Sequence, residues 1–234
     1  MLPQPSHPPQ TDHLPQTNHP PQAKPNRLPW ITLIVLCVIA TAAVLRRAVV
    51  LLSPPSPPRF PDAAALDAVF FAHRTMTLIH ILPAMCLVLL LPFWFSPRVR
   101  RNHAAAHRRI TQALFALGVF TGITALVMNT HPIGGFNEVA AILLFDTLFL
   151  FSLARAYLLW HRGNIPLHRA WMTRAFAVLL GIATTRPVVG LFVATSQLTH
   201  LHPQQFFGTA FWIGFTLTYI AGEAYIRSRP ATEL

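Results

Sequence analysis

The stretch EVAAILLFDTLFLFSLARAYLLW, residues 138–160, decides the fold class of this chain. It is almost wholly apolar, and as a helix it would measure roughly 35 Å, because each residue adds about 1.5 Å. The hydrocarbon core of a bilayer is about 30 Å thick, so the stretch is long enough to cross it. We therefore predict that residues 138–160 form a transmembrane helix.

Five further apolar stretches flank this one, and each is long enough to cross as a helix. The predicted spans are residues 30–52, 69–95, 108–129, 138–160, 167–195 and 206–227. The loops between them are short, which favours antiparallel neighbours in one bundle. The expected fold is all-α, a polytopic transmembrane bundle of about six spans. Arg46-Arg47 interrupts the first stretch, so a full crossing over 30–52 and a shorter one over 30–45 both stay open.

The composition agrees with a membrane protein. The chain is 53% hydrophobic and only 11% charged, against about 25% charged in soluble domains. The formal charge is +11, but the arginines lie between apolar runs rather than on one soluble face. This pattern indicates a lipid bilayer as the partner and no nucleic acid. Cys37 and Cys86 both fall inside predicted spans, where a structural disulfide is not expected.

The chain divides into four regions. Residues 1–29 contain three copies of a six-residue unit, SHPPQT, DHLPQT and NHPPQA, and this proline-rich composition predicts a disordered tail. Residues 30–68 hold the first span and a proline-rich linker, and residues 69–228 form the main membrane domain. Residues 229–234 are a short second tail.

The distribution of basic residues predicts the orientation. With the N-terminus inside, four inner segments carry most of the basic residues: Lys24 and Arg27; Arg98, Arg100, Arg101, Arg108 and Arg109; Arg162 and Arg169; Arg227 and Arg229. The loops near 130–137 and 197–205 contain no lysine or arginine, although the first outer loop carries Arg59 and Arg74. By the positive-inside rule both termini are expected in the cytoplasm.

Several motifs together resemble a known family. The main ones are Arg162-Gly163-Asn164 followed by His168-Arg169-Ala170-Trp171-Met172-Thr173-Arg174, then Thr184-Thr185-Arg186, and Ala221-Gly222-Glu223 in the last span. With the earlier His80 and His107-Arg108-Arg109 elements, they resemble the "domain of unknown function 2306" family over roughly residues 75–227. The resemblance implies a multi-helix membrane fold and no established activity. Ile110-Thr111-Gln112 departs from the family pattern, in which a glycine is usual.

Polar side chains within the spans are the candidate site residues, because a central charge in a bilayer costs roughly 2.5–3.5 kcal/mol on insertion scales and needs a partner. The candidates are His80, Asp146, Arg155, Arg174, Arg186 and Glu223. Counting helical rise puts His80, Asp146 and Arg186 in the outer half, where they could surround a small polar cavity. Glu223 lies near the inner end, at the level of Arg174, Arg169 and His168. We expect it to act mainly as an ion-pair or hydrogen-bond partner.

His107 and His168 begin the third and fifth spans at the same inner level. Two imidazoles at matched depth are what axial ligation of a b-type haem requires, with His80 and His131 as a less direct outer pair. On this hypothesis the chain is a small b-type cytochrome that transfers electrons across the membrane. The alternative is that both helix starts anchor the bundle by binding lipid phosphate. A third hypothesis, a transporter or proton pathway, uses His80, Asp146 and Arg186. No nucleotide loop, zinc protease motif, serine elbow or carboxylate pair is present, so no catalytic residue is predicted.

Overall fold

The computed structural model describes residues 27–53 and 61–229, and all regular structure in these ranges is helical. The helices are α1 (Leu28–Leu52), α2 (Pro61–Ala72), α3 (Arg74–Phe95), α4 (Pro97–Asn102), α5 (Ala104–Met128), α6 (Gly135–His161), α7 (Ile165–Thr199) and α8 (Pro203–Arg227). The hexapeptide repeats, most of the proline-rich linker and nearly all of the short C-terminal tail lie outside the described residues.

Five of the described helices are long and apolar enough to cross a membrane, namely α1, α3, α5, α6 and α7. They correspond to the first five predicted spans, and the chain is an integral, multi-pass helical membrane protein. The sixth predicted span corresponds to α8, which has 25 residues but is not among the five. Its glutamines, glycines and Glu223 lower its mean hydropathy.

The five apolar helices form a closed ring in the order α1, α3, α5, α6 and α7, with α7 returning to α1. α8 packs outside this ring against α7 and α6. Gly181 faces Phe215, Gly214 faces Thr185 and Gly222 faces Ala177, so α8 runs antiparallel to α7 and covers the same depth. The main apolar core lies inside the ring and includes Leu87, Leu114 and Phe176.

The two ends of the ring differ in charge. The basic end carries the start of α1, the short helix α4, the α6–α7 turn and the end of α8. The far end carries α2, the α5–α6 turn and the α7–α8 turn. A small second core at the far end joins Leu66 of α2 to Ala141, Phe207 and Phe211.

The predicted second span, 69–95, is wrong at its start. The helix breaks at His73, whose backbone (φ −115°, ψ 36°) is not helical, and residues before it belong to α2. α2 packs over the far end because Leu66 and Phe70 find apolar partners there. The third predicted span, 108–129, corresponds to α5, which begins at Ala104 rather than at residue 108.

α1 continues without interruption through Arg46-Arg47. Both arginines bond to Asp67 of α2, Arg46 through two hydrogen bonds of 3.2 and 2.9 Å. Asp67 thus supplies a counter-charge that was not predicted from the sequence, and the helix can extend to Leu52 beside it.

The start of α7 follows its sequence closely. Asn164 caps the helix by accepting a hydrogen bond of 3.2 Å from the backbone N–H of Leu167, and Pro166 lies in the first turn. Gly163 supplies the left-handed conformation of the preceding turn at φ 72°. This short turn places His168 and Arg169 at the basic end.

Candidate functional site

A cavity of about 380 Å³ lies inside the ring, toward the far end. Most of its wall is apolar and includes Val44, Ile81, Phe149 and Ile182. The ionisable side chains that line it are Arg47, His73, His80, His131, Glu138, Asp146 and Arg186. This space, called the far-end cavity below, therefore combines an apolar wall with a few polar groups, as small-molecule sites do.

The three residues predicted to share an outer cavity, His80, Asp146 and Arg186, all line the far-end cavity. His80 shares a hydrogen bond of 2.9 Å between Nδ1 and the Thr124 hydroxyl. Asp146 is only 8% exposed, and its Oδ2 has no hydrogen-bond partner. No hydrogen bond or ion pair links the three to one another in the described chain. They surround a common space instead of forming one network.

Arg186 differs from the other arginines around the cavity. Arg46 and Arg47 both pair with the single carboxylate of Asp67. Arg186 lies in the field of these two like charges, and its buried Nε has no hydrogen-bond partner. Within the described residues it makes no ion pair. The cavity is therefore lined by a guanidinium that has no ion-pair partner in the described part of the chain.

Two histidines pack together beside the cavity. The rings of His73 and His131 have centroids 4.1 Å apart, and both residues line the cavity. His73 stands at the break between α2 and α3, and His131 in the α5–α6 turn, where its Nδ1 is 2.8 Å from the Thr130 hydroxyl. The sequence placed His131 in an outer loop but gave no sign of this pairing, because the break at His73 was not predicted.

Two other residues that line the far-end cavity, Arg47 and Glu138, were not predicted from the sequence as site residues. Arg47 was interpreted only as an interruption of the first span, yet its charge borders the cavity. Glu138 was expected to begin the fourth predicted span, which corresponds to α6. Its Oε2 accepts hydrogen bonds of 2.6 Å from the N–H groups of Ile133 and Gly134. The location of Glu138 at the start of a predicted span could have indicated that it binds nearby backbone N–H groups. These bonds hold Glu138 in the turn, and in the described structure it makes no ion pair with Arg186.

His107 and His168 meet at the basic end, as their common level suggested. Both rings lie near the indole of Trp94, with centroids 6.0 and 6.4 Å away, and Trp94 is 2% exposed. The Nε2 of His107 is 3.2 Å from the Trp94 carbonyl oxygen, and the Nδ1 of His168 is 2.9 Å from that of Ala156.

This arrangement does not fit a pair of axial haem ligands. Aromatic rings pack around both imidazoles: Trp94 lies beside each of them, and Phe115 and Trp160 lie beside His168. A porphyrin would need the space that these rings take. In the described residues no group of three histidine, cysteine or acidic side chains is placed to hold a metal ion.

Glu223 pairs with Arg174, one of the partners expected from its level. The Arg174 Nε and Nη2 donate to the two carboxylate oxygens, the second at 3.2 Å. Arg174 also lies over the Trp171 ring, 4.7 Å from its centroid. Arg155, the remaining candidate, approaches the same ring at 5.8 Å. These four residues join α6, α7 and α8 and do not line the far-end cavity.

Comparison with known families matches residues 77–224 to a family described as "Predicted membrane protein (DUF2306)". The match covers more than half of the chain and includes His80, Asp146, Arg174, Arg186 and Glu223. Searches of curated proteins and of solved structures gave no match. The matched segment extends from α3 to α8, the same region that builds most of the ring and its cavity. The chain belongs to this family of predicted membrane proteins of unknown function.

Proposed function

We propose that the chain binds a small amphipathic molecule in the far-end cavity, with an anionic head beside Arg186 and an apolar body between the helices. The observation that carries this proposal is the guanidinium of Arg186, which lines the cavity without an acid partner in the described part of the chain. A ligand of this kind would complete the site.

The arginines in the spanning helices differ in whether an acid offsets their charge. A charge within the membrane-spanning part of a helix costs free energy, up to roughly 2.5–3.5 kcal/mol at the centre of the bilayer on insertion scales. Arg174 offsets this cost through Glu223, and Arg47 through Asp67. Arg186 has no acid paired with it among the described residues, and it lies in the field of the like charges of Arg46 and Arg47. A bound carboxylate or phosphate would supply the counter-charge, and the planar guanidinium can donate two parallel hydrogen bonds to it.

The rest of the cavity favours an apolar body. Apart from its ionisable groups the wall consists largely of aliphatic and aromatic side chains, including Val44, Phe145, Phe149 and Phe211. A volume of about 380 Å³ falls within the roughly 300–1,000 Å³ of typical small-molecule pockets. The site is thus suited to a molecule with one charged end and a short chain or ring system.

The test uses the full chain in nanodiscs and radiolabelled dodecanoate as the probe. We expect saturable binding above that of empty nanodiscs, weaker binding of labelled dodecan-1-ol, and loss of dodecanoate binding in Arg186→Gln. The matched control is Arg74→Gln, because Arg74 is an exposed arginine at the same end that does not line the cavity. Equal binding by Arg186→Gln and the unchanged chain would overturn the proposal.

Movement of a proton or ion through the same cavity is a second candidate, and Asp146 favours it. This carboxylate is buried and lines the cavity, and its Oδ2 lacks a hydrogen-bond partner. Such a group can take up and release a proton. In liposomes Asp146→Asn should then abolish a pH-dependent flux that the unchanged chain supports. Flux that survives this substitution would exclude a role for Asp146 as the carrier.

A further inference from the structure

A cluster of arginines lies at the basic end, away from the far-end cavity. Arg100 comes from α4, Arg169 from α7, and Arg229 follows the end of α8. All three side chains are half-buried, and Arg169 lies in the field of both of the others. None of them has an ion-pair partner among residues 27–53 and 61–229. Three separate elements thus bring like charges together without an acid.

Tyr225 of α8 lies among these arginines. The guanidinium of Arg229 stands over its ring, 4.8 Å from the centroid. Tyr225 is also an electrostatic neighbour of both Arg100 and Arg169. The nearest glutamate on the same helix, Glu223, is already held by Arg174. Among the described residues, the cluster therefore has a hydroxyl group and an aromatic contact but no counter-charge.

A groove of about 550 Å³ leads from Arg229, one member of this cluster, toward the membrane interior. It lies between α1 on one side and α7 with α8 on the other. Arg27, Tyr225 and Arg229 line its basic end. Deeper in, its walls are mainly apolar and include Leu33, Leu36, Phe176 and Leu180. The groove opens on the outside of the ring, where lipid would surround the protein.

We propose that the cluster and the groove form a binding site for an anionic phospholipid, with its phosphate among the arginines and one acyl chain along the groove. Half-buried guanidinium groups repel one another, and a phosphate accepting their hydrogen bonds removes that repulsion. The apolar groove that continues from the charges matches a lipid better than a free anion. The bilayer supplies such lipids at this depth.

The first experiment measures thermal unfolding of the delipidated full chain in detergent. Added phosphatidylglycerol should raise the unfolding temperature more than phosphatidylcholine with the same acyl chains. Arg169→Gln and Arg229→Gln should each lose most of this difference. The matched control is Arg108→Gln, an exposed arginine at the same end that should keep it. Equal effects of the two lipids, or equal loss in all three variants, would overturn the proposal.

A second experiment separates the two parts of the lipid. Ala221 lines the groove and carries no charge, so Ala221→Phe should fill the groove and reduce the phosphatidylglycerol effect while the arginines stay in place. Inorganic phosphate alone should give little stabilisation. If phosphate reproduces the whole effect and Ala221→Phe leaves it unchanged, the cluster binds a free anion and the lipid assignment is wrong.

Discussion

Arg174 of α7 and Glu223 of α8 form a two-point ion pair, in which the Nε and Nη2 of the arginine donate to the two carboxylate oxygens. Two neighbouring helices that pack through small residues are thereby joined near the basic end. Both side chains are partly buried, so the pair is screened less than an exposed one. Arg186, which lies further along α7, has no such acid partner among the described residues.

Glu223→Gln should lower the free energy of unfolding by about 1–3 kcal/mol, the range for a lost hydrogen bond to a charged group. The cause is the partly buried Arg174 guanidinium, which would lose its counter-charge. Equilibrium unfolding in mixed micelles measures the change in the free energy of unfolding. Arg227→Gln, at an exposed position of the same helix, serves as the control and should change stability little. Similar losses in the two variants would show that the pair adds nothing.

Replacing the uncompensated groups of the far-end cavity should have the opposite effect on stability. Arg186→Gln and Asp146→Asn should leave the unfolding temperature unchanged or raise it, because each removes a charge that the protein does not neutralise. The measurement is thermal unfolding without added ligand. A marked loss of stability in Arg186→Gln would mean that the residue is structural, which would weaken the proposed binding role.

Gly214→Ala should destabilise the contact between α7 and α8. A methyl group at this position would lie 2.7 Å from the backbone nitrogen of Thr185 and 2.9 Å from the carbonyl oxygen of Gly181, so the helices would have to move apart. Gly190→Ala is the matched control, since a methyl group there has nothing within 4 Å. Alanine favours a helix over glycine by roughly 0.5–1 kcal/mol. We therefore expect a lower unfolding temperature only for the first variant.

Both termini are proposed to be cytoplasmic, which requires α8 to cross the membrane as the sixth span. Its antiparallel packing along α7 supports a crossing. A reporter fused after Leu234 should then report from inside, and the same reporter fused after His200 from outside. Reporters on the same side in both fusions would show that α8 does not cross.

The purified chain should show no Soret band, even after incubation with haem. The Nε2 of His107 faces a carbonyl oxygen, and Trp94 packs near both candidate ligands. His168→Ala should consequently affect stability rather than colour. A Soret band that disappears in His168→Ala would restore the cytochrome hypothesis.

The sequence predicted the membrane helices well because length and apolar composition alone determine which segments can cross. It also predicted that His80, Asp146 and Arg186 share a level, because depth follows from counting residues along a helix. The sequence did not predict the rotation of each helix about its axis. Helices that are apolar on all sides give no periodic signal for the face that points inward.

The parts that sequence reasoning missed depend on contacts between distant segments. Asp67 pairs with Arg46 and Arg47 from a helix that the predicted boundary at residue 69 had left out. The nitrogen atoms of His107 and His168 bond to carbonyl oxygens 12 or 13 residues away. Such partners follow from the folded arrangement and leave no motif in the chain.

α7 is longer than a bilayer is thick. Its 35 residues extend for about 52 Å, against about 30 Å of hydrocarbon. Its start is set at the basic interface by Arg169 and Trp171, so the surplus length falls at the far end, beyond Pro187. The last turns of α7 and the neighbouring α2 therefore form a collar around the cavity at headgroup depth. A thicker membrane would immerse more of this collar, and a thinner one would leave more of it in water.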